Sequence, residues 1–75
     1  MIEQKGYLKI GNGYLEDITL SFCYANTDFI KELLFTFDEK KAMMMSYETF
    51  VELRKKLYIN LDIKIEDIMF IEKED

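Results

Sequence analysis

Gly6-Tyr7-Leu8-Lys9-Ile10-Gly11-Asn12-Gly13-Tyr14-Leu15 is the stretch on which the fold turns. Two short aromatic and aliphatic runs flank Gly11-Asn12-Gly13. Gly and Asn tolerate positive φ, so the segment reads as two antiparallel strands joined by a tight hairpin turn. A Gly-rich turn can also cradle phosphate, but that requires a full fingerprint opening a helix. Here the fingerprint is incomplete and another strand follows.

Downstream, Ile18-Thr19-Leu20-Ser21-Phe22-Cys23-Tyr24 alternates. Ile18, Leu20, Phe22 and Tyr24 fall on one side and Thr19, Ser21 and Cys23 on the other, the period of a strand with one apolar face. Ala25-Asn26-Thr27-Asp28 is a polar connector. A third strand begins near Phe29 and carries Leu33-Leu34-Phe35-Thr36-Phe37. Asp38-Glu39-Lys40-Lys41 forms a charged turn, and Ala42-Met43-Met44-Met45 returns as a short fourth strand.

Ser46 has the character of an N-cap, because its hydroxyl can accept from an orphan N–H of a first helical turn. The spacing then predicts a helix from Tyr47 to about Tyr58, with Phe50, Leu53 and Leu57 on one stripe and Val51 and Tyr58 beside it. Glu48 and Glu52 lie early and Arg54-Lys55-Lys56 late, an order that suits the helix dipole, and Asn60 is placed to close the helix. In the tail Leu61, Ile63 and Ile65 share one parity and Ile68 and Phe70 the other. A bulge or helical turn near Glu66-Asp67 therefore resets the register before a last strand at Ile68 to Glu72. Residues 1–75 form a single α+β domain: a small, mostly antiparallel sheet in ββββαβ order packed with one helix.

Composition narrows the chemistry. The chain has no His, Trp or Pro and a single Cys. Without imidazole the usual base for a Ser or Cys nucleophile is missing, and neither zinc nor an Asp-rich calcium loop has its ligands. Cys23 stands in an apolar run and reads as an ordinary buried thiol. One free Cys and no secretion signal point to a cytoplasmic protein, and no apolar run approaches the length of a membrane span. The expectation is a non-enzymatic protein without cofactor or metal.

Ten basic and fifteen acidic residues leave a net charge of −5. Direct nucleic-acid binding through Tyr7, Tyr14 and Lys9 has suitable aromatics but an unsuitable charge balance. Asp62, Glu66, Asp67, Glu72, Glu74 and Asp75, against Lys64 and Lys73, give the last fourteen residues −4, leaving −1 for the rest. Glu16-Asp17 adds a second acidic pair. Such carboxylates keep a small protein soluble, and they can also steer it toward a basic partner by standing where phosphates would. The candidate partner-binding residues are Glu66, Asp67, Glu72, Glu74, Asp75, Glu16 and Asp17.

Three segments, Leu33-Leu34-Phe35, Met43-Met44-Met45 and Ile68-Met69-Phe70-Ile71, are apolar on both parities, as strands buried on two faces are. One helix covers one face. A second copy covering the other, in a homodimer using Phe35, Phe37, Met43 and Met45, is the first expectation. The alternative is a monomer whose long Lys and Glu stems and tail cover the sheet.

In element order and acidity the chain loosely resembles small phage-encoded inhibitors, such as the uracil-DNA glycosylase inhibitors and some anti-CRISPR proteins. The resemblance lies in composition and layout and carries no residue assignment. It implies a DNA-mimicking protein that blocks a nucleic-acid-handling host or defence protein. The competing expectation is a structural or regulatory subunit that binds through an apolar sheet face.

Overall fold

The computed structural model describes residues 4–22 and 28–73, with the side chains of all of these except 21, 22, 28 and 29. Cys23, Tyr24, Glu74 and Asp75, singled out in the sequence, lie outside the described residues. Among the described residues five strands and one α-helix follow in the order β1 (Lys5–Ile10), β2 (Gly13–Phe22), β3 (Asp28–Thr36), β4 (Met45–Ser46), α1 (Tyr47–Leu61) and β5 (Ile68–Glu72). The sheet is antiparallel throughout and packs against the helix, the expected α+β arrangement.

β1 is the hub. Along one edge it pairs with β5, from Gly6↔Glu72 to Ile10↔Ile68. Its other edge is shared: Lys9 and Ile10 pair with Tyr14 and Gly13 of β2, whereas Lys5 and Gly6 pair with Ser46 and Met45 of β4. β2 peels away from β1 beyond Tyr14 and continues as a long ribbon with β3. Where it departs, the Leu15 carbonyl accepts from the Met43 N–H at 2.9 Å. The hairpin is as read: Ile10 faces Gly13 across a two-residue loop, and Gly11 carries φ 59°, the positive value that the first loop residue of a type II′ turn requires.

Direct cross-strand partners point to the same face, so the register sorts the side chains. Leu8, Ile10, Ile68 and Phe70 face α1, and Leu15, Ile18 and Leu33 continue that face along the ribbon. Against them α1 buries Phe50, Leu53 and Leu57, the predicted stripe. Phe50 and Tyr47 both meet the Phe70 ring, each with centroids 5.2 Å apart. Met45 completes this core.

Several local expectations are corrected. The fourth strand is not Ala42–Met45 but the short Met45–Ser46, because the backbone that meets β1 is the pair opposite Gly6 and Lys5. The charged turn before it winds into a 3-10 helix, Glu39–Lys41, capped by Asp38, whose carboxylate accepts from the Lys40 N–H at 3.0 Å. α1 runs past Tyr58 to Leu61. Asn60 does not close it; its amide donates to the Lys56 carbonyl inside the helix. The turn is made by Asp62 in the left-handed conformation, with φ 55° and ψ 32°. Ser46 is the expected N-cap, its Oγ accepting from the Thr49 N–H at 3.2 Å. The register reset in the tail is a 3-10 turn, Ile65–Asp67, and the last strand has the expected bounds.

Candidate interaction surface

The longer helix changes the electrostatics at its end. Arg54, Lys55 and Lys56 sit mid-helix, and the last turn of α1 holds no basic residue. Its terminal carbonyls, the negative end of the helix dipole, therefore lack the cations that usually offset them. Asp62 follows directly, and Glu66 and Asp67 stand in the next turn, all three exposed. At the same end Tyr58, Ile59, Leu61 and Ile65 keep large apolar surface in water. With Lys64 between Asp62 and Glu66, this pole sets three exposed carboxylates and one ammonium beside exposed apolar side chains.

The other candidate acids are elsewhere. Glu72 pairs with Gly6 at the far end of β5, five residues beyond Asp67 and so roughly 17 Å along an extended strand. Glu16 is the extra residue of a bulge in β2: the register passes from Leu15↔Phe35 to Asp17↔Leu34, with no partner for Glu16 between them. It is half-buried, while Asp17 is exposed and turns its carboxylate onto the Ile18 N–H at 2.9 Å. Glu66 and Asp67 are therefore together, Glu16 and Asp17 are together, and Glu72 stands apart from both pairs. Among the described residues no group of three or more acidic side chains could hold a metal ion.

The sheet face away from α1 carries a charge pattern that the net acidity conceals. Lys5, Tyr7 and Lys9 alternate onto it from β1, and Met69, Ile71 and Lys73 from the β5 side. The Lys9 ammonium lies 5.3 Å from the Tyr14 ring centroid and that of Lys73 5.9 Å from the Tyr7 ring, both within cation–π range. Tyr7 and Tyr14 pack edge to face at 6.1 Å. Beneath these groups Tyr7 is only 4% exposed although no helix covers it. Around β1, then, aromatic packing and lysine stems lie over the far face, while Met69 beside them stays 56% exposed.

The apolar interface candidates divide. Met45 is 5% exposed inside the core and offers almost no surface, and Met43 is half-buried against the same core. Phe35 remains on the surface, and Phe37, just beyond the end of β3, is 84% exposed. Leu34, absent from the sequence-based set, is 51% exposed on the opposite face of the same strand. Among the described residues β3 pairs only with β2, and its outer edge is unpaired. Near Met43, Met44 and Met45 lies a shallow depression of about 480 Å³, also bounded by Lys5, Ser46 and Thr49.

No family model, curated protein or solved structure matches this chain. Among the described residues no helix is long and apolar enough to cross a membrane.

Proposed function

We propose that this chain is a non-enzymatic interaction protein that docks on a basic protein partner through the pole at the C-terminal end of α1. The observation that carries the reading is the coincidence, at one end, of exposed Asp62, Glu66 and Asp67, of helix carbonyls with no cation in the last turn, and of exposed Tyr58, Leu61 and Ile65. Protein interfaces combine an apolar, aromatic-rich centre with a polar rim, and complementary charge sets the speed and orientation of encounter. A partner that handles nucleic acid presents the basic groove such a pole suits. The loose likeness to phage-encoded inhibitors supports the same direction: occupation of that groove by a DNA-mimicking inhibitor.

The separation of Glu72 from Glu66 and Asp67 narrows the proposal to a local contact rather than a row of carboxylates along a whole strand. The test is capture of partners from a candidate host lysate by the wild-type chain and by a Glu66→Lys, Asp67→Lys double variant, over a salt series. The expected result is a basic protein retained at low salt, released as salt rises, and lost in the double variant. Retention by the double variant refutes the reading.

A second reading is favoured by the exposure of Phe37, Leu34 and Phe35: a subunit that assembles through the apolar β3 margin. Assembly of that kind resists salt and is indifferent to Glu66 and Asp67, so the same titration separates the two.

A further inference from the structure

We infer that the outer edge of β3 is the seat of a second copy of this chain, joined antiparallel about a twofold axis that passes beside Leu34. The inference rests on the second reading above, that the β3 margin is an assembly surface, and adds the occupant and the register. An open strand edge is a template for further pairing, and proteins usually blunt it with charge, proline or shortness. β3 is nine residues long, contains no Pro, and has its charged residues, Asp28, Lys31 and Glu32, in its first five positions, leaving Leu33 to Thr36 uncharged. Its one bulge, at Lys31 between Thr19↔Glu32 and Leu20↔Ile30, lies outside that segment. β5, the other edge unpaired among the described residues, is only five residues long and has Phe70 packed beneath α1.

Symmetry then selects the register. A twofold axis perpendicular to an antiparallel pair must place one residue opposite its own copy. Centring on Lys31 or Glu32 sets like charges face to face. Centring on Ile30 opposes Asp28 to the second Glu32, and centring on Phe35 opposes Glu32 to the second Asp38, both repulsive. A centre at Leu33 sets Glu32 against Leu34 and Asp28 against the second Asp38. A centre at Thr36 sets Leu34 against Asp38. Only a centre at Leu34 gives three consecutive apolar pairs and opposes no like charges: Leu34 meets Leu34 and Leu33 meets Phe35 on either side of it, while Glu32 falls opposite Thr36 and Ile30 opposite Asp38. Lys31 then falls opposite the exposed Phe37, an ammonium over an aromatic ring.

The faces agree with this choice. Leu33 and Phe35 share the α1 side of the sheet and Leu34 the far side, so each apolar pair extends an apolar surface already present. Stacking two copies by their far faces instead would gather Lys5, Lys9 and Lys73 of both copies in one layer, where like charges repel. The twofold edge pair avoids that clash and leaves the acidic pole of each copy free.

The test is charge swapping at Leu34, whose exposure makes either variant compatible with the fold. Sedimentation velocity over a concentration series should show a dimer for the wild type. Leu34→Lys and Leu34→Glu should each be weakened by about tenfold or more, since each sets a charge against its own copy. An equimolar mixture of the two should recover a heterodimer, because unlike charges then meet at the axis. In a Cys23→Ser background, Leu34→Cys should crosslink to itself under mild oxidation, and Glu32→Cys should do so only when mixed with Thr36→Cys. A wild type monomeric at every concentration, a dimer untouched by either Leu34 variant, or self-crosslinking of Glu32→Cys alone overturns the inference. None of these results affects capture of a basic partner by Glu66 and Asp67, so the pole reading stands or falls separately.

Discussion

Gly6→Ala is the substitution for which general propensity and this particular fold predict opposite signs. In an ordinary strand position Ala is preferred to Gly by roughly 0.5–1 kcal/mol, because Gly gives up more backbone freedom on folding. Gly6, however, is hemmed in on both edges, paired with Met45 on one side and Glu72 on the other. A Cβ there collides with the Ile71 carbonyl oxygen and comes within 2.9 Å of the Glu72 Cα. These are backbone atoms of a paired strand and cannot rotate away. The end of β5 must shift, straining the ladder at Gly6↔Glu72 and the neighbouring bond from the Lys73 N–H to the Lys5 carbonyl, 2.9 Å long. Losing two such bonds costs about 2 kcal/mol, and overpacking of this kind costs about 1–3 kcal/mol. After the propensity gain is set against them, the expected loss is about 2–4.5 kcal/mol, at about 4–8 °C of melting temperature for each kcal/mol in a domain of this size. Gly13→Ala is the internal control, because its Cβ would meet nothing closer than 3.7 Å and its φ is not positive. Thermal and urea unfolding followed by circular dichroism should show Gly6→Ala destabilised and Gly13→Ala neutral or slightly stabilised. Amide exchange should place the loss in β5 and at Lys73. A Gly6→Ala chain as stable as the wild type would falsify the claim that β5 is held against β1 by backbone proximity at this residue.

Leu8→Ala should cost about 2–5 kcal/mol, since Leu8 is fully buried beneath α1, and a urea titration should find little folded protein left. Ser46→Ala removes the acceptor of the Thr49 N–H and should cost about 1 kcal/mol, read as a lower melting temperature. Asp62→Gly should stabilise the chain by about 1 kcal/mol, because a glycine holds the left-handed cap without steric cost and a negative charge leaves the negative end of the dipole. The same variant should weaken capture of a basic partner, so stability and binding move in opposite directions. Phe37→Ser should leave the unfolding midpoint within about 0.5 kcal/mol of wild type, since an exposed side chain contributes little to the core.

How much of this was legible in the sequence follows from which interactions are local. The hairpin was, because Gly11-Asn12-Gly13 is a turn whatever surrounds it. The helix start was, because Ser46 caps from three residues away. The helix end was not: no Gly or Pro marks it, and Asp62 adopts a left-handed conformation that its residue type only sometimes takes. The fourth strand was misplaced because parity cannot rank three consecutive methionines. Which of them meets β1 is decided by Lys5 and Gly6, some forty residues earlier.

The surface was less legible than the core, and the reason is averaging. A net charge of −5 describes no face of this molecule. Alternation along β1 and β5 sends Lys5, Lys9, Met69, Ile71 and Lys73 to one side, while the chain reversal at Asp62 gathers Asp62, Glu66 and Asp67 at the end of α1. Those two outcomes depend on strand register and on three extra residues of helix, neither of which composition encodes. The same holds for the apolar residues. Leu33-Leu34-Phe35 reads as a strand buried on both sides, yet Leu34 and Phe35 are exposed and only Leu33 packs against the core. Both observations fit a strand whose second burial is supplied by another chain, at its edge rather than over its face. For that reason Leu34, and not the methionines, is the position at which one charge would distinguish a monomer from half of an assembly.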